Sequence, residues 1–324
     1  MIAASLGACD SLLDIDEPDA PVEGENGWVF FTSSLSGTVE LWAAPDSGGD
    51  GVRITDGMTD RDNEWLHLLP PTRDGRHVGV VSRTDPSGVV QRQRHLWVME
   101  IDGASLRHVA QITDDTDFYG ISWEGNGPGV VYAGGPKCAE DLWHLDVDDG
   151  SEPTLMLPFE GAATHPRVNP QNPDEVFFWD TDCGERGQLT RLGLESGALE
   201  VVDATGARQG GHGQWSSDGT LFAYGFASAI YVHDMRQEFL VYQDEDASAK
   251  MHSPYFGNGD TRVYVKRCTA SACGLASIEL ATGRLQELHV EGIGSDLDTD
   301  QIVGWAPFTT LLDDDGDGLA NGID

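Results

Sequence analysis

Lysine is nearly missing from this sequence: Lys137, Lys250 and Lys266 are the only three in 324 residues. Lysine and arginine together number 19 against 55 aspartates and glutamates, a formal net charge of −36. A surface of that sign repels polyphosphates and anionic headgroups, which excludes nucleic acid and direct contact with acidic lipid. No apolar run reaches the length of a membrane-spanning helix. Catalytic signatures are also missing. The chain has no Gly-x-Ser-x-Gly elbow, no phosphate-binding P-loop and no dinucleotide fingerprint. Divalent cations and protein or glycan ligands remain as partners.

Five cysteines is an odd number. Cys268 and Cys273 are close neighbours, Cys138 and Cys183 are left as a candidate second pair, and Cys9 stands alone near the N-terminus. Two disulfides plus one modified cysteine imply an oxidising compartment; five reduced thiols in a cytosolic protein is the competing reading. Leu6-Gly7-Ala8-Cys9 resembles the lipobox of bacterial lipoproteins. That resemblance implies an acylated Cys9 at the mature N-terminus and a place in the bacterial cell envelope: periplasm, outer membrane or cell surface. Membrane contact would then run through the lipid alone. Asp10 to Asn26 is acidic and proline-bearing without periodicity, as a solvated tether should be. Residues 1–26 are therefore set apart as signal remnant and tether.

What the chain does contain is a repeat. Short apolar runs recur at Val29-Phe30-Phe31, Val78 to Val81, Val130-Val131-Tyr132, Val176-Phe177-Phe178, Leu221 to Tyr224 and Val263-Tyr264-Val265. Asp74-Gly75, Asn126-Gly127, Asp218-Gly219 and Asn258-Gly259 precede four of them, supplying the positive φ angles of tight hairpin turns. A second run follows each, a weaker third comes next, and an aromatic strand such as Gln214-Trp215-Ser216 or Gly304-Trp305-Ala306 opens the next unit. About 40–50 residues with four short strands is the period of a β-propeller blade. Gln214-Trp215-Ser216-Ser217-Asp218-Gly219 resembles the core of TolB-like (PD40, WD40-like) propeller repeats, and His165 to Pro170 is a looser copy. The expected fold is all-β: a six-bladed propeller of four-stranded blades over residues 27–308. The count closes only if Ile302–Pro307 pairs beside Trp28–Thr32 in one composite blade; a ring of five or seven blades is the rival.

Three histidines fall three residues before the strand centre when units are aligned on Val168, Trp215 and Tyr255: His165, His212 and His252. In propellers of this kind that strand is innermost, so the imidazoles would share one height in the central channel. Such a triad suits a transition metal, and oligogalacturonate lyases are similar in using channel histidines for one. The other reading is hydrogen bonding to neighbouring backbone. No fourth ligand is evident.

The loops on the face where these strands begin are uneven. Arg83 to Arg94 is the longest and carries Arg83, Arg92 and Arg94. Cys138 and Cys183 fall in the same loop of neighbouring units, which suits a cross-blade bridge, and Cys268 with Cys273 would clip one hairpin. Long, stiffened loops mark this face as the expected recognition surface; neutral loop drift is the alternative.

The C-terminus reads Asp313-Asp314-Asp315-Gly316-Asp317-Gly318, with Asn321 and Asp324 following. Asp313, Asp315, Asp317, Asn321 and Asp324 stand at the side-chain ligand positions of a calcium loop, Leu319 at the carbonyl position and Gly318 at its turn. The segment resembles EF-hand, dockerin and thrombospondin type 3 loops. Residues 309–324 form a calcium-ordered tail or, in the alternative, a charged one. Together these readings describe an exported monomeric propeller that binds a protein or glycan ligand. A metal-dependent lyase and a structural surface module with a calcium-ordered tail are the alternatives.

Overall fold

A computed structural model describes residues 27–33, 39–55, 67–72, 76–113, 117–125, 129–136, 138–148, 151–159, 161–181, 187–202, 212–257, 259–291 and 302–307. Among them there is no helix, and six four-stranded antiparallel sheets are arranged as the blades of a propeller. Blade 1 is composite: Ile302–Pro307 is innermost, followed outward by Gly27–Ser33, Glu40–Pro45 and Val52–Arg53. Val29 pairs with Trp305 and Trp28 with Ala306, so the ring closes as the repeat count requires. Blades 2, 3 and 4 begin on the inner strands His67–Leu69, Asp117–Trp123 and Ala162–Val168. Blades 5 and 6 begin on Gln214–Trp215 and Lys250–Gly257.

Burial falls from the second strands outward, as composition dictates. Val130 to Ala133 and Val176 to Trp179, on second strands, are buried throughout, whereas outermost Ala198–Val201 is exposed at every position. A continuous apolar run fits a strand covered on both faces, and a blade's interior is covered by the blade on either side. The core is accordingly a ring of interblade layers rather than one centre. Trp28, Phe30 and Leu41 of blade 1 pack with Val78, Val80 and Met99 of blade 2, and Phe177 and Trp179 of blade 4 pack with Trp215 and Tyr224 of blade 5.

Polar contacts repeat the same logic. Trp123 Nε1 donates to Pro70 O at 2.7 Å and Trp215 Nε1 to Arg167 O at 3.1 Å, each reaching back one blade. The Ser216–Leu221 turn is tied internally by Ser216 Oγ donating to Asp218 Oδ1 at 2.6 Å. It is also tied to its neighbour by Asn169 Nδ2 donating to Gly219 O at 3.1 Å. A β-carbon at Gly219, where φ is +70°, would stand 2.1 Å from Asn169 Oδ1, so this turn position is closed to any side chain.

One element has no counterpart in the repeat. Val290–Glu291, leaving blade 6, pairs in parallel with Gly49–Asp50 of blade 1, and Gly49 N donates to His289 O at 3.0 Å. Gly48 makes the approach feasible: φ is +86° and a β-carbon would lie 2.6 Å from His289 O. The seam between first and last blade is thus sealed twice.

Candidate functional site

The inner strands share a distortion that shapes the channel. Pairing with the second strand slips between Tyr132 and Gly134, between Thr164 and Arg167, and between His252 and Tyr255. At these bulges Gly120, His165 and Ser253 take positive φ, as does His212 in blade 5, at +107°, +52°, +48° and +63°. These four residues occupy one position, three before Trp123, Val168, Phe256 and Trp215. Holding a non-glycine residue there costs about 1–3 kcal/mol, a strain that clusters at functional sites.

The pairing corrects the expected frame in blade 6. Phe256, not Tyr255, is the partner of Val263, as Trp215 is of Phe222. His165 and His212 are therefore equivalent, and His252 stands one residue earlier, beside the bulge. Blades 4 and 6 carry the same one-residue bulge, so the offset lies in which of two adjacent aromatics, Tyr255 or Phe256, takes the paired position. His252 is nonetheless near enough for its charge to act on His212. The His165 and His212 centroids lie 4.4 Å apart at 73°. His212 is held well below the usual imidazole pKa, first by desolvation and then by His165, Arg167 and His252. Among the described residues no group of three or more His, Cys, Asp or Glu side chains could hold a metal ion.

One step along the strands lies a second ring: Ser122, Arg167, Gln214 and Tyr255. Arg167 comes from the Val168 strand and was not among the residues expected to act. Its Nε donates to Gly213 O at 2.8 Å, and its Nη1 to Ile121 O at 3.0 Å and Pro166 O at 2.8 Å. Burial lowers its pKa to about 10. Burial likewise pushes Tyr255 up to about 12, against the opposing pull of a Gln214 hydrogen bond and the Arg167 charge.

Beyond this ring the channel opens into a cavity of about 310 Å³ at the end where the inner strands finish, here the turn face. Trp123, Trp215, Phe256, Pro70 and Pro170 give it apolar walls, and Ser122, Gln214 and Tyr255 line it toward the axis. Asp260 is on its lip, and its carboxylate accepts from Ser217 N at 2.8 Å and from Ser217 Oγ, bridging blades 6 and 5. Desolvation is the main cause of its raised pKa.

The opposite, loop face differs from expectation in detail. The Arg83–Arg94 segment is an ordered hairpin, with strands reaching Thr84 and starting at Val90. Asp85 Oδ1 organises its tip by accepting from Ser87 N at 2.8 Å and Val89 N at 2.9 Å. Arg83 and Arg94 are half-buried rather than fully presented to solvent; the Arg92 side chain lies outside the described residues. Cys268 and Cys273 form the expected disulfide, Cα atoms 4.0 Å apart. Cys138 is disulfide-bonded as well, while Cys183 and Cys9 lie outside the described residues. So do Asp313, Asp315, Asp317, Leu319, Asn321 and Asp324 of the tail.

No protein-family profile matches the sequence, and no curated protein matches it. Solved structures do resemble the fold. TolB from Acinetobacter baumannii superposes with a TM-score of 0.67 at 14% identity, covering 88% of this chain and 67% of that one. A chain from a nidogen/laminin complex gives 0.62 at 7% identity, covering 86% and 97%. Oligogalacturonate lyase from Vibrio parahaemolyticus gives 0.55 at 14% identity, covering 82% and 74%. At these identities the likeness is one of fold.

Proposed function

We propose that this chain is an exported propeller of the bacterial cell envelope that binds a protein ligand at the turn-face mouth of its channel. The observation that carries the reading is the cavity of about 310 Å³ walled by Trp123, Trp215 and Phe256. A concave site with aromatic walls and a few polar groups converging at its base is what an inserted side chain requires. Trp123 and Trp215 are held rigid by their indole hydrogen bonds to the preceding blade, so little ordering entropy would be lost on binding. That one of the similar folds comes from a nidogen/laminin complex supports a protein ligand. In this reading Cys9 carries the lipid anchor, residues 10–26 are the tether and the acidic tail takes calcium.

Site-specific photo-crosslinking tests the proposal. A photoreactive residue at Ser217, on the turn face, should capture a discrete partner in cells of the source organism. One at Ser87, on the hairpin of the loop face, should not capture that partner. Equal capture from both positions, or capture from Ser87 alone, contradicts the assignment of the face.

A further inference from the structure

We propose that the channel is an anion site in which the Nη2 group of Arg167 holds a carboxylate entering through the turn-face mouth. The ligand class rests on the binding reading above for its source, a partner's Asp or Glu side chain or its C-terminus. The anion site itself stands on the channel's own chemistry.

Arg167 spends three of its five N–H groups on the carbonyls of Gly213, Ile121 and Pro166. Those carbonyls belong to three successive blades, so the guanidinium is clamped and cannot swing out to solvent. Its two Nη2 hydrogens meet no acceptor among the described residues. The side chain nevertheless retains accessible surface while protein encloses it, as befits a group facing a lumen. A guanidinium fixed in this way offers charge-assisted donors at a set position.

Among the described residues no carboxylate acts on Arg167 or His212. The groups acting on Arg167 and His212 are Tyr255, His165, His252 and each other, and none is a carboxylate. Of this cluster Asp260 acts on Tyr255, and its oxygen Oδ2 is engaged by Ser217. In a chain with 55 acidic residues, the described part of the channel thus gathers one guanidinium and three imidazoles with no carboxylate acting on Arg167 or His212. A buried charge without a counter-ion is unfavourable, and a bound anion relieves it. His212, kept neutral by burial, adds imidazole hydrogen-bonding capacity without a second charge. Gln214 and Tyr255 lie on both this ring and the cavity wall, so a carboxylate on a short stem reaches the ring from the mouth. The acidic exterior repels free polyanions, which favours a single carboxylate carried in by a docked surface.

Nuclear magnetic resonance of the histidine rings in the intact protein decides the matter, with acetate and its neutral isostere acetamide as probes. Acetate should give a saturable shift of the His212 ring signals and raise the His212 pKa by about one unit, as an added negative charge does. Acetamide should do neither. Arg167→Gln should abolish the acetate response. Should that variant not fold, the acetate–acetamide comparison on the unaltered protein still decides. Identical responses to the two probes, or an acetate response that survives in a folded R167Q, overturns the proposal. N-acetylglycine and N-acetylglutamate amide separate the two sources: binding of either supports the site and names the terminus or the side chain, and binding of neither overturns it. Acetate binding without partner capture at Ser217 would leave the anion site standing and remove the protein-binding reading; capture without an acetate response does the reverse.

Discussion

The rings of His165 and His212 meet edge to face at a centroid separation of 4.4 Å, each on a residue whose φ is positive. The same positive-φ position in neighbouring blades has brought equivalent imidazoles together inside the channel, and the neighbouring charge of Arg167 completes a basic cluster in an acidic protein.

This arrangement makes stability depend on pH. The folded-state pKa of His212 lies well below its unfolded value, so the unfolded chain takes up the proton first. Stability from this group is complete above the unfolded pKa near 6.5 and is lost as pH falls below it. His212→Asn keeps a residue tolerant of positive φ and removes the titration. The melting temperature of H212N should fall less between pH 7.5 and 5.5 than that of the parent. Parallel pH profiles would show that His212 does not titrate in this way.

Asp260 binds the turn of the neighbouring blade through Ser217. Asp260→Ala removes a charged acceptor from two donors and should cost about 1.5–3 kcal/mol in chemical denaturation. Asp260→Asn retains an acceptor and a tolerance for φ of +61°, and should cost less. Equal losses would assign the effect to charge alone.

Gly48 carries the parallel seam between blades 6 and 1. Gly48→Ala places a methyl against His289 O at positive φ, at a cost of about 1–3 kcal/mol. Hydrogen exchange should accelerate first in Gly27–Ser33 and Ile302–Pro307, the closing pair. Uniform acceleration over all six blades would contradict a local role for the seam.

The tail yields a calorimetric prediction. If Asp313, Asp315, Asp317 and Asp324 bind calcium with the Leu319 carbonyl, dissociation constants should fall near 10⁻⁴–10⁻³ M, roughly the range of extracellular loops. Asp315→Ala with Asp317→Ala should remove the heat. Identical titrations at millimolar calcium would make the segment a charged tail.

The blades were legible because their signals are local: apolar runs three or four residues long, Asp-Gly and Asn-Gly turns, and an aromatic in the inner strands that carry Trp123, Trp215, Phe256 and Trp305. Closure through Trp28 and Trp305 followed from counting. The blade 6 frame was not legible, since Tyr255 and Phe256 are adjacent aromatics and spacing alone does not tell which of them pairs with the second strand. Arg167 escaped notice as one residue in a degenerate copy of the turn motif. Its only sequence signal was a guanidinium inside an otherwise uncharged inner strand. The Val290–Glu291 pairing joins segments some 240 residues apart and leaves no periodic trace. Long loops pointed to one face, whereas the aromatic-walled cavity lies on the other, because inner-strand ends, not loop length, shape the mouth.

The central claim is that the turn-face mouth receives the partner, and obstruction tests it most directly. Once a partner has been captured, its affinity should be measured for the unaltered protein, Ser217→Trp and Ser87→Trp, with folding verified by thermal melts. The account predicts that S217W, at the cavity lip, weakens binding at least about tenfold, roughly 1.4 kcal/mol, while S87W leaves it unchanged. Unaltered affinity in folded S217W, with loss in S87W, would place the ligand on the loop face and contradict the account.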